Sequence, residues 1–147
     1  MVWGTFTITH ILSLLLGAAI IIGLYFALKH RTEKTQTIVL GILSFAGIAA
    51  IIFNLVVWDS PIEYLPLHLC SLNAMLLPIV VFTRNKHLGN LLMLWSIGAL
   101  AALVLNTSVA AAEITSWVFV FYYFPHVLEF GIPIILFKLK LIKLDKK

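Results

Sequence analysis

Five apolar runs, each as long as a helix needs to cross a lipid bilayer, dominate this chain of 147 residues. Hydrocarbon offers no water to satisfy a bare backbone, so each run must close its own hydrogen bonds as a helix. The expected spans are residues 8–28, 37–58, 64–82, 88–105 and 114–136. Composition agrees: 62% of the residues are hydrophobic and 11% charged, a balance outside the range of water-soluble domains. The fold class is therefore all-α, a polytopic membrane helix bundle of about five transmembrane helices forming one domain over residues 1–147. Any site must lie between helices or on short connections.

The ten Lys and Arg residues fall into alternate connections. Lys29, Arg31 and Lys34 follow the first run, Arg84 and Lys86 the third, and Lys138, Lys140, Lys143, Lys146 and Lys147 the fifth. By the positive-inside rule the N-terminus is outside and the C-terminus cytoplasmic. The net charge of +4 is thus a topology signal, and no nucleic-acid partner is expected. Cys70 is the single cysteine and cannot form an intramolecular disulfide. Because the N-terminus lacks a basic region and a small-residue cleavage site, the first span is expected to be retained, with the mature chain starting near Met1.

Polar groups inside a bilayer are costly and usually face the bundle interior, so they are the functional candidates. Counted from the outer helix ends, His10, Asn54, His68, Cys70, Asn73 and Asn106 lie in the outer half, with His126 and Glu129 nearer mid-depth. At about 100° per residue, Cys70 and Asn73 share one stripe of the third helix, while His68 lies about 160° from Cys70. A nucleophilic Cys70 would need its base from another helix. His10, at about 6 Å depth against about 8 Å for Cys70, matches better than His126 at about 13 to 17 Å.

His126 and Glu129 stand three residues apart on one face, where a carboxylate can orient an imidazole. Pro125 and Pro133 on the same helix release carbonyls that need other partners. Each candidate also has a structural reading: Cys70 as a small polarizable filler, and His10 and His68 as interhelical hydrogen-bonding residues. No metal site is expected from His10, His68 and Cys70, because a His-x-Cys spacing splits its donors between helix faces; no cofactor is implied. Trp3, Trp58 and Trp117 read as interfacial anchors. Gly23 with Ala27, Ala46 with Ala50 and Gly98 with Ala102 read as close-packing pairs.

The segment Leu65-Pro66-Leu67-His68-Leu69-Cys70-Ser71-Leu72 resembles the signature of the YwaF family of bacterial multispan membrane proteins. His10, Arg84, Trp95 with Gly98, and the run from Phe124 to Phe130 fit the same pattern. That family is related to an animal transmembrane acyltransferase that remodels ether phospholipids and uses a cysteine. The resemblance implies lipid acyl transfer in a bacterial plasma membrane, with Cys70 forming an acyl-thioester, His126 or His10 as general base and Asn73 on the oxyanion. Family members are usually longer, with further spans after the one holding His126.

The leading expectation is a membrane-embedded acyltransferase acting on lipid acyl chains. Cys70, His126 and His10 are its catalytic candidates, and Asn73, His68, Glu129 and Asn106 its substrate-binding candidates. Its partners are membrane lipids, with a homo-oligomer or partner membrane protein as further options. Two rival readings use the same residues. One is a non-enzymatic integral membrane subunit binding partner helices or lipid; the other is a small proton- or substrate-binding carrier centred on His126 and Glu129.

Overall fold

A computed structural model describes residues 1–57, 68–105 and 109–143. Among these residues there are six helices and no strand: α1 (Ile8–Lys29), α2 (Glu33–Ser44), α3 (Ala46–Val57), α4 (Leu69–Thr83), α5 (Lys86–Leu105) and α6 (Trp117–Lys138). The chain forms a polytopic helix bundle. Helices α2 and α3 together make one apolar rod over Glu33–Val57, and four rods, of 22, 25, 20 and 22 residues, are long and apolar enough to cross a membrane.

Capping sets most boundaries. Thr32 accepts from the Thr35 N–H and starts α2 four residues before the expected start, since Glu33 and Lys34 extend the helix into the polar region. Asn85 caps α5 by accepting from the His87 and Leu88 N–H groups, and Ser116 caps α6 by accepting from Phe119. The break between α2 and α3 has a local cause. The Ser44 hydroxyl donates to the Gly41 carbonyl at 2.6 Å, competing with the backbone ladder where Phe45 turns.

Alternate connections meet at opposite ends, as the Lys and Arg pattern requires. At the basic end, Arg84 in left-handed conformation (φ 53°) pairs with Glu33 at 2.9 Å and donates to Thr37, tying the α4–α5 turn to α2. The other end is closed by the N-terminal segment. Trp3 and Gly4 donate backbone N–H groups to Ala112 and Ala110, and Ile114 donates to the Met1 carbonyl. Trp3 is fully buried, donates its indole N–H to Ser13 and meets His10, Phe119, Tyr122 and Tyr123 edge-on. It is a core residue rather than the interfacial anchor expected. Trp117 is exposed, as an anchor should be, and Trp58 lies outside the described residues.

The third expected helix differs most. It is expected from Tyr64; residues 64–67 lie outside the described residues, and α4 begins at Leu69, with His68 in extended conformation as its cap. At 1.5 Å per residue α4 is about 22 Å long and α6 about 33 Å. Both end on the basic side, so α4 starts about 11 Å short of the level at which α6 starts. A Cβ added at Gly98, seven residues before the end of α5, would meet the Leu69 side chain at 3.3 Å.

Helix α6 is the hub, packing on all five other helices, and glycines permit its closest approaches. A Cβ at Gly131 would lie 2.6 Å from Ile21 of α1, and one at Gly47 of α3 would lie 2.6 Å from the Ala74 Cβ of α4. Gly23, expected to pack closely, faces open space. Gly47→Ala should therefore lower the stability of the purified protein by about 1–3 kcal/mol, while Gly23→Ala should leave it equal or higher by up to about 1 kcal/mol. Thermal unfolding in detergent compares the two; equal losses would contradict the packing described.

Candidate functional site

The late start of α4 sets the depth of Cys70, the second residue of that helix. Counted from the basic end, Cys70 lies 13 residues, or about 20 Å, above Thr83, and His126 lies 12 residues, or about 18 Å, above Lys138. The two helices therefore present these residues at one level. Cys70 Sγ, a His126 ring nitrogen and a Glu129 carboxylate oxygen all lie within 4.8 Å of one another. Depth read from the outer ends favours His10 as the neighbour of Cys70; the structure places His126 there instead, because α4 starts only at Leu69.

His126 is fixed by its own helix. Its Nδ1 lies 2.6 Å from the Tyr122 carbonyl, which can only accept, so Nδ1 carries the proton and Nε2 of the neutral ring keeps a free lone pair. The Tyr122 ring stacks on the imidazole at 4.3 Å between centroids, and the Tyr122 hydroxyl donates to the Ala102 carbonyl of α5. Tyr122 was not among the sequence candidates, although its place four residues before His126 on an irregular, proline-containing helix was a usable signal.

Glu129, 3% exposed, sits one turn further along α6. A Cβ at Gly47 would lie 3.2 Å from its Oε1, so α3, α4 and α6 converge around the carboxylate. Glu129 Oε2 has no hydrogen-bond partner, and neither does either side-chain polar atom of Asn73. Asn73 is 1% exposed and stands one helical turn from Cys70 on the same face of α4. The first-turn N–H groups of Cys70 and Ser71 have no intrahelical carbonyl to donate to, and a helix N-terminus favours negative charge on atoms facing it.

The other sequence candidates are placed elsewhere or lie outside view. His10 is fully buried with both nitrogens engaged: Nδ1 accepts from the Phe6 N–H at 2.9 Å and Nε2 donates to the Leu103 carbonyl at 2.8 Å. It closes the N-terminal end of the bundle and is not in the cluster. His68 is exposed and gives no side-chain cap to α4. Asn106 lies outside the described residues.

Thiol, imidazole and carboxylate at this spacing can perform nucleophilic and proton-transfer chemistry, and the same three donors can bind a metal ion. A family model described as the TMEM164 family matches residues 4–147. No curated protein and no solved structure matched the chain.

Because an unpaired buried amide costs about 1–3 kcal/mol, Asn73→Leu should keep or raise the thermal unfolding temperature in detergent while impairing the site's activity. A clear loss of stability would mean that Asn73 serves the fold.

Proposed function

The chain belongs to the TMEM164 family, and on that premise we propose that it is a membrane-embedded acyltransferase that moves lipid acyl chains through a Cys70 thioester. One observation carries the reading: Cys70, His126 and Glu129 converge within 4.8 Å inside the bundle. His126 has the correct tautomer to act as a base, and Glu129 stands where it can hold the ring once charged.

In the first half-reaction, Nε2 of His126 takes the Cys70 thiol proton and the sulfur attacks the ester carbonyl of a phospholipid. The tetrahedral oxyanion forms beside the first-turn N–H groups of α4 and the Asn73 amide, which supply donors as charge develops. Collapse breaks the ester C–O bond; the leaving alkoxide takes the proton from His126, and the acyl group remains on sulfur. In the second half, His126 removes a proton from the hydroxyl of a lysolipid, whose oxygen attacks the thioester. Cys70 leaves as thiolate and recovers the proton. Tyr122 acts as a positioning residue by holding the His126 tautomer through its carbonyl.

The apolar surroundings suit this chemistry because water, the competing acyl acceptor, is scarce. A bacterial plasma membrane, as the YwaF resemblance implies, is the proposed setting. The unpartnered Glu129 Oε2 also favours a second reading, a proton- or substrate-binding carrier. In that case Glu129→Gln would abolish pH-linked uptake into proteoliposomes while Cys70→Ala left it intact.

Reconstituted protein incubated with a phospholipid bearing a labelled acyl chain should acquire one acyl mass on Cys70, released by hydroxylamine. Cys70→Ala should abolish both label and transfer, and His126→Ala should slow transfer by roughly 10²–10⁴-fold. His10→Gln, with its buried hydrogen bonds largely conserved, should retain most of the rate. Full transfer by Cys70→Ala would exclude the nucleophile.

A further inference from the structure

We propose that the Cys70–His126–Glu129 cluster is also a binding site for a divalent transition metal of the zinc class, and that metal binding and thioester formation are mutually exclusive uses of it. Metal binding stands on the donor geometry and on burial; only its inhibitory consequence rests on the acyl-transfer reading.

The donor set comes first. A thiolate, an imidazole and a carboxylate are the ligand types zinc prefers, whereas magnesium and calcium favour oxygen alone. Tetrahedral coordination with bonds of about 2.0–2.3 Å puts donors about 3.3–3.8 Å apart. The donor atoms already lie within 4.8 Å, so closure by about 1 Å, within the reach of side-chain adjustment, completes three-coordinate binding. The tautomer is also correct: with the Nδ1 proton held by the Tyr122 carbonyl, Nε2 is free to ligate. This backbone contact is the kind of outer support that metal-bound histidines use.

Burial gives an independent reason. Glu129 Oε2 and both polar atoms of Asn73 are buried without partners, a costly arrangement in an apolar interior unless a ligand meets them. A divalent ion bound by one thiolate, one carboxylate and a neutral imidazole forms a complex with no net charge. That complex is far more compatible with the middle of a bilayer than an isolated carboxylate. Asn73, one turn from Cys70 on the same face, is the natural source of a fourth ligand through Oδ1. Binding requires the Cys70 thiol to lose its proton to solvent, and a protonated Glu129 to lose one as well. With sulfur on the metal, its lone pair is no longer available to attack an ester.

Cobalt(II) reports such a site without any reference to catalysis. Titrated into the purified, metal-stripped protein in detergent, it should bind at one ion per chain and give a thiolate-to-cobalt charge-transfer band that zinc abolishes by displacement. Cys70→Ala should remove the band. Glu129→Gln and His126→Ala should each weaken binding at least tenfold, with helical circular dichroism and elution volume checking that they fold. Zinc should also protect Cys70 from alkylation by a maleimide. Absence of the band in folded wild-type protein whose Cys70 reacts with maleimide would overturn the proposal, as would unchanged affinity in both Glu129→Gln and His126→Ala. Transfer by metal-free protein should stop on adding zinc and return with a chelator. If metal-free protein transfers nothing yet binds cobalt at Cys70, the acyl-transfer reading fails and the metal site stands; transfer unaffected by bound zinc would refute the mutual exclusion.

Discussion

Most of this structure follows from one constraint: inside hydrocarbon, a polar group must find its partner within the protein. The small hydroxyls obey it by bonding back to their own helices, as Ser44, Ser96 and Thr83 do through carbonyls three or four residues earlier. Longer side chains obey it by crossing between helices. Tyr123 donates to the Ser13 carbonyl, His10 joins α1 to the Leu103 carbonyl, and Gln36 donates to the Leu28 carbonyl across the α1–α2 turn. Against this background the unpartnered Asn73 amide and Glu129 oxygen stand apart. Among the described residues, no other buried side-chain nitrogen or oxygen lacks a partner.

Helix α6 makes that concentration possible. It touches every other helix, so its inward face can carry a buried Glu129 and a half-buried His126. Its prolines, Pro125 and Pro133, remove two backbone donors and so release the carbonyls of Phe121 and Glu129, four residues earlier. Glycines on neighbouring helices, Gly47 and Gly17 among them, bring α3 and α1 close enough to seal its flanks. The chain leaving α6 folds back as well. Lys140 takes a left-handed conformation and Ile142 is buried against Gly89 of α5, which anchors the hub at the basic end.

The bundle was legible in the sequence because both of its signals are long-range averages. Hydropathy integrates over some 20 residues and charge over whole connections, so an error of a few residues at a helix end alters neither. The stripe shared by Cys70 and Asn73 and the pairing of His126 with Glu129 were legible for a similar reason, since helical periodicity is local and rigid. Depth was not. Depth read from the outer ends holds only where all helices start at one level, and α4 starts late, at Leu69. Counting from the basic ends, where Arg84 and Lys138 mark a common boundary, puts Cys70 and His126 level. Trp3 was misread because an aromatic near a terminus usually sits at the interface, and nothing local announces the strand-like pairing of Met1–Gly4 with Ala110–Ile114 that carries it inward.

The same late start shapes the chemistry. A helix that began at the membrane surface would turn its free N–H groups toward water, where they would do little. Beginning at Leu69, about 11 Å short of the level at which α6 begins, α4 brings them to the level of His126. Cys70 stands in that first turn, so charge developing on sulfur or on an attacked carbonyl faces these amides. Glu129 works against any bare negative charge nearby. With Cys70 and Glu129 protonated and His126 neutral the site carries no net charge; a bare thiolate there needs a cation beside it, either a proton on His126 or a metal ion among the three donors. On the proposed acyl-transfer reading, a thiolate formed at Cys70 is therefore held as a pair with the imidazolium of His126.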